Sequence, residues 1–157
     1  MDKLAGTERR PDSNPRTYEM STQTSLTVAQ NFLGNLGRGD TKAVAELFAE
    51  DAQWDIPGDT TAFPWIGRKN GSNAVVEFFE TSTQLIERIK LEVQDILANE
   101  RRAVILGELA SRVRSTGKVI ETPFAVILGI TDGKISHYRM LENSYAVSLA
   151  VNTGAAA

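Results

Sequence analysis

The 157-residue sequence predicts one α+β domain in which about three helices precede a meander of long strands. Three observations carry that prediction. Apolar residues recur at helical spacing between Val28 and Phe79, the period changes to two from Ile89 onward, and Asp132-Gly133 is the strongest hairpin signal in the chain.

The elements follow in order. Met1 to Thr24 contains Arg9-Arg10-Pro11, Asn14-Pro15-Arg16 and Ser21-Thr22-Gln23-Thr24 with scarcely an apolar residue, so residues 1–24 are expected to be a mobile tail. Met20, followed by Ser21-Thr22, is a second candidate start. The domain itself is expected over residues 25–150. Thr27-Val28-Ala29-Gln30 is a capping-box pattern, and Val28, Phe32 and Leu36 give the first helix an apolar stripe that ends at Gly37-Arg38-Gly39. Asp40 caps a second helix, whose Val44, Leu47 and Phe48 form one apolar stripe before Asp51. Ala52 to Ile56 reads as a short strand stopped by Pro57-Gly58, and Asp59 to Gly71 as a loop carrying Phe63 and Trp65. Ser72 is positioned to cap a third helix, with Val75, Val76, Phe78 and Phe79 inward, running to about Leu85.

Ile89, Leu91 and Val93 then alternate with Lys90, Glu92 and Gln94 as in a half-buried strand, and Ile96-Leu97 breaks the parity, which predicts a bulge near Asp95. Arg102 to Ser115 is the next strand. Phe124 to Ile130 is apolar on both faces, the mark of a central strand covered on one side by helices and on the other by a second subunit. The last strand runs from Lys134 to about Asn143, and residues 151–157, ending in Ala155-Ala156-Ala157, are expected to be a short tail.

Composition narrows the classes of function. The 17 basic and 20 acidic residues give a net charge of -3, which supplies no basic field for nucleic acid. The absence of cysteine excludes disulfides, thiolate nucleophiles and thiolate-ligated zinc, and a single histidine, His137, leaves too few ligands for a metal centre. No apolar run is long enough to span a bilayer and no signal peptide is evident, so a cytoplasmic protein without membrane contact is expected. Neither a glycine-rich phosphate loop nor a nucleophile elbow is present.

Two passages, Glu50-Asp51-Ala52-Gln53-Trp54-Asp55-Ile56-Pro57-Gly58 and Thr131-Asp132-Gly133-Lys134-Ile135-Ser136-His137-Tyr138-Arg139, resemble the SnoaL-like branch of the nuclear-transport-factor-2-like superfamily, which includes ketosteroid isomerases, limonene epoxide hydrolases and polyketide cyclases. The resemblance spans roughly Thr27 to Val147. It implies a cone formed by helices on a curved, mostly antiparallel sheet, with ligands entering the wide end. Carried over residue by residue, the isomerase base falls on Ile56, its oxyanion tyrosine on Phe32, the two supporting tyrosines on Phe48 and Phe79, and its protonated acid near Val126. Every polar member of that machinery is replaced by an apolar one. The arginine and acids of the epoxide hydrolases fall near Gly107, Leu109 and Asn143, so that arrangement is missing too.

The polar residues that remain are Asp55, Tyr138 and Glu142. Asp55 stands where the family often has an acid before the proline, with strand alternation placing it opposite Ile56; as a strand-end acid it equally suits contact with water. Tyr138, Met140 and Glu142 share the face of the last strand that the resemblance turns toward the cone. A carboxylate near a phenylalanine-lined mouth would have the raised pKa that a general acid or base requires, whereas a solvated Glu at a strand end would not. Glu142, Asp55 and Tyr138 are therefore the candidate catalytic residues, and Phe32, Trp54, Ile56, Trp65, Phe79, Val126, Met140 and Asn143 the candidate ligand-binding residues. Trp54 is expected to serve the core and Trp65 to act as a lid. The expected function is binding of a small apolar molecule by a homodimer, with cofactor-free isomerase, cyclase or hydrolase chemistry; a non-catalytic binding or assembly module is the alternative.

Overall fold

The structure, a computed structural model, describes residues 14–152. Its elements are α1 (Pro15–Gly37), α2 (Thr41–Glu46), β1 (Phe48–Ile56), β2 (Gly67–Asn70), α3 (Ser72–Leu85), β3 (Ile86–Ala98), β4 (Arg102–Val113), β5 (Val119–Thr131), β6 (Lys134–Glu142) and α4 (Ser144–Val151). The strands form one mixed sheet in the order β2-β1-β6-β5-β4-β3, in which only β1 and β6 are parallel. Helices α1 to α3 cover the concave face of this curved, unclosed sheet, as the α+β prediction requires.

Local chemistry moves several boundaries. Asn14 accepts a hydrogen bond from the Arg16 amide (3.1 Å) and Pro15 occupies the first turn, so α1 starts at Pro15 and not at Thr27. Residues 15–24 of the expected tail are thus helical; residues 1–13 lie outside the described residues. Asp40 caps α2 by accepting from the Ala43 amide (3.0 Å). That helix stops at Glu46 without reaching Asp51, because the chain turns into sheet pairing: Phe48 lies opposite Ile135, whose amide donates to the Leu47 carbonyl (2.8 Å). Part of the expected 59–71 loop is strand β2, paired with β1 and bracketed by Gly67 and Gly71 at φ +92° and +90°. Gly71, not Ser72, is the N-cap of α3.

Strand β3 holds the bulge expected near Asp95 and a second one between Arg88 and Lys90. The second bulge reverses the alternation, leaving Ile89 about half exposed (48 %) and setting Arg88 opposite the buried Ser111. Helix α4, absent from the sequence reading, is capped by Asn143, whose side chain accepts from the Ala146 amide (3.1 Å). It packs on β5, where Ala150 joins Val113 and Ile120 in a small second core.

The main core lies between α1 to α3 and the concave face. Phe32, Trp54, Ile56, Ile105, Leu128 and Ile135 are almost completely enclosed there. Burying side chains of that size contributes roughly 1.5–3 kcal/mol each. On the opposite face Val104, Leu106, Ala125 and Ile127 are only half-buried, and Leu97 and Leu141 are exposed. No helix among the described residues is long and apolar enough to cross a membrane.

Candidate active site

A cavity of about 120 Å³ opens between the helices and the concave face. Cross-strand register explains its floor: Phe124 pairs with Glu142, Val126 with Met140 and Leu128 with Tyr138, so one face of β6 projects Tyr138, Met140 and Glu142 inward beside large apolar neighbours. Phe32 of α1, Phe79 of α3, Ile56 of β1 and the loop residue Trp65 complete most of the apolar wall. Val147 of α4 reaches the same space. Helix α4 is held over this end by Thr116 Oγ1 donating to the Ala150 carbonyl (2.8 Å), Lys118 Nζ to the Asn152 carbonyl (3.0 Å) and Ser148 Oγ to Asp59 Oδ2 (3.0 Å). The amides of Ala62 first, then the Ser148 hydroxyl, keep the Asp59 carboxylate below its ordinary pKa, which stabilises the charged form of this contact.

Polar groups are few inside: Ser82, Arg88, Ser111, Tyr138 and Glu142. Glu142 is half-buried, and desolvation raises its pKa above the usual carboxylate range. Tyr138 is enclosed, with its ring stacked on Trp54 at 3.8 Å and 7°. Burial raises the phenol pKa far above its ordinary value; the charge of Glu142 adds to that shift and the charge of Arg88 opposes it. The Tyr138 hydroxyl is therefore a proton-bearing donor within electrostatic reach of both. Arg88 lines the cavity although the residue as a whole is exposed, and desolvation on its cavity side lowers its pKa. A carboxyl of raised pKa, a phenol that keeps its proton and a guanidinium make a set able to move one proton and to stabilise a negative oxygen.

The candidate residues thus divide. Phe32, Ile56, Trp65, Phe79, Val126, Met140, Tyr138 and Glu142 line one cavity. Asp55 does not: as the neighbour of Ile56 on a strand it points to the other face, where Arg139 Nη2 and Nε donate to its Oδ2 at 3.0 and 3.2 Å. Asn143 is also outside, engaged as the α4 cap and donating its amide to Thr122 Oγ1 (2.9 Å). Trp54 lies behind Tyr138, packed by Phe48, Phe78 and Phe79, and its indole N–H has no partner among the described residues. His137 is exposed, beside Ser136 Oγ (3.1 Å). Arg88 was missed because its inward direction depends on a bulge that the period-two pattern of Ile89, Leu91 and Val93 conceals.

The architecture and the sequence agree with known proteins. Residues 29–138 match the SnoaL-like domain family, more than half of the chain, and the protein belongs to that family. Glu142 lies beyond the matched segment. Among solved structures, an NTF2-like protein from Burkholderia xenovorans LB400 is 27% identical, with a TM-score of 0.76 over 85% of this chain and 99% of that one. TerC, crystallised with polyporic acid, is 14% identical at a TM-score of 0.72, covering 83% of this chain and 99% of its own. A candidate polyketide cyclase from Xanthomonas campestris pv. campestris is 17% identical at a TM-score of 0.67, with 83% and 98% covered. No protein of curated function matches the sequence significantly.

Proposed function

We propose that the protein binds a small, mostly apolar molecule in the cone and transforms it by cofactor-free acid–base chemistry, as an isomerase, cyclase or hydrolase. The observation that carries this is the position of Glu142, a carboxyl of raised pKa on the wall of an otherwise apolar cavity. In this mechanism Glu142 transfers the proton and Tyr138 donates to the oxygen on which charge develops. The occurrence of the same fold in TerC, crystallised with polyporic acid, and in a candidate polyketide cyclase supports a small-molecule role.

One observation favours the alternative of a non-catalytic module. Phe32 and Phe48, which stand where the resemblance to ketosteroid isomerases places tyrosines, pack ring against ring with Trp54 and Tyr138. The two are separated by following deuterium exchange at the α-carbon of small enolisable ring ketones by NMR. The enzyme reading expects exchange that falls roughly a hundredfold or more in Glu142→Gln, the scale of a lost general base, while binding survives. Exchange equally fast in that variant would contradict it, and binding without exchange would favour the module.

The working form is a cytoplasmic homodimer joined through the outer sheet face. The half-buried strip of Val104, Leu106, Ala125 and Ile127 supports this, flanked by exposed Leu97 and Leu141. Charges at its two ends are opposite: Arg101, Arg102 and Arg139 at one, and Glu92, Glu108 and Glu121 around Lys90 at the other. A two-fold axis perpendicular to the strands sets each basic end against the partner's acidic end, whereas an axis along the strands opposes like charges.

A further inference from the structure

Arg88 is the charged residue of the cavity lining to which proton transfer by Glu142 and hydrogen-bond donation by Tyr138 assign no task of their own. Its neighbours in β3 are satisfied: Glu87 accepts from Arg112 Nη1 (3.1 Å), and Lys90 Nζ lies 2.9 Å from Glu92 Oε2. Arg88, between them, has no carboxylate partner among the described residues and faces Ser111, Ile86 and Leu91 along the cavity wall. Three strand spacings separate β3 from β6 in the sheet, yet its curvature brings the guanidinium within electrostatic reach of the Tyr138 hydroxyl. A cation lining an apolar wall without an ion-pair partner is stabilised by an anion that enters with the ligand, and a guanidinium forms two parallel hydrogen bonds to a planar carboxylate.

Volume bounds the rest of that ligand. An apolar cavity of about 150 Å³ accommodates benzene, so the roughly 120 Å³ available here fits a single ring or a branched chain of similar bulk.

We propose that Arg88 anchors the ligand and that the cavity takes compact apolar carboxylic acids, the carboxylate on the guanidinium and the body against Phe32, Phe79 and Phe124. This rests on the cone cavity being the working site, as proposed above. The test compares phenylacetate with its neutral isostere phenylacetamide by titration calorimetry and by methyl NMR of Met140 and Ile56. Wild-type protein is expected to bind phenylacetate at least about tenfold more tightly, consistent with a charge-assisted pair. Arg88→Gln should abolish the preference while retaining phenylacetamide binding, and Arg88→Lys should keep part of it. Arg112→Gln, which removes a cation outside the cavity, should bind as wild type does. Equal affinities in the wild type, or a preference that persists in Arg88→Gln, would overturn the anchor and leave the cavity assignment standing. If neither probe moved the Met140 and Ile56 methyls, both would fall.

Discussion

Glu142 links stability to pH in a direction opposite to that of a salt-bridged acid. Burial raises its folded-state pKa above the ordinary carboxylate value that it has when unfolded. Between those values the native state holds a proton that the unfolded state has lost, so its contribution to stability declines as pH rises through the window and levels off above the folded pKa. Glu142→Gln removes that penalty. Thermal melts should show the variant equal to wild type well below the ordinary carboxylate range and more stable near neutral pH. A variant less stable at neutral pH would mean that the charged carboxylate is stabilised in the fold. Alternation made it legible that Tyr138 and Glu142 share a face, but only the family resemblance named that face as the inner one: a register shift between Gly129 and Ile130 puts both Ile135 and Tyr138 inside, which alternation from the Asp132-Gly133 hairpin does not foresee. Asp55 lies on the other side of the sheet from Ile56, as its alternation with that residue indicated.

At the scale of elements, irregularities in the strands decide what faces the cavity. Gly107 lies on β4 opposite Val93, beside the β3 bulge near Asp95. A Cβ there would run into the Glu92 carbonyl and come within 2.8 Å of the Phe124 ring, which is itself part of the cavity wall. Gly107→Ala is therefore expected to destabilise the protein by about 1–3 kcal/mol, the usual cost of overpacking, and to displace Phe124. Denaturant unfolding would measure it; a change below a few tenths of a kcal/mol would show that β3 yields freely. Bulges are visible in a sequence only where they break an apolar pattern. Ile96-Leu97 does so, and that bulge was foreseen; the one at Arg88 leaves Ile89, Leu91 and Val93 looking regular, and so hid the cationic wall residue. The Asn14-Pro15 helix start was legible as a cap followed by an N1 proline, but the polar composition around it outweighed the signal.

For the whole molecule, helical and then strand periodicity was enough to predict the class, since each long segment keeps one period over several turns or pleats. What single-chain periodicity does not contain is the cover of the outer sheet surface, which the proposed dimer would supply. Sedimentation at micromolar concentration should find a dimer, and Ile127→Asp, placing a charge in its apolar strip, should yield monomer. The charge layout adds a sharper expectation. Arg102→Glu and Glu108→Arg, on one strand, should each weaken association, and the double variant should restore it if the strands run antiparallel across the two-fold axis. A wild-type monomer would sink the dimer, and no recovery in the double variant would reject that orientation.

The proposed chemistry requires that the cone partly desolvate the Glu142 carboxyl and so raise its pKa. Carbon NMR titration of the side-chain carboxyl, with its resonance assigned by loss in Glu142→Gln, tests that most directly. The Glu142 midpoint should lie clearly above that of the solvated glutamates in the same spectrum. A midpoint coinciding with theirs would contradict it, and would leave the cavity without its acid–base group.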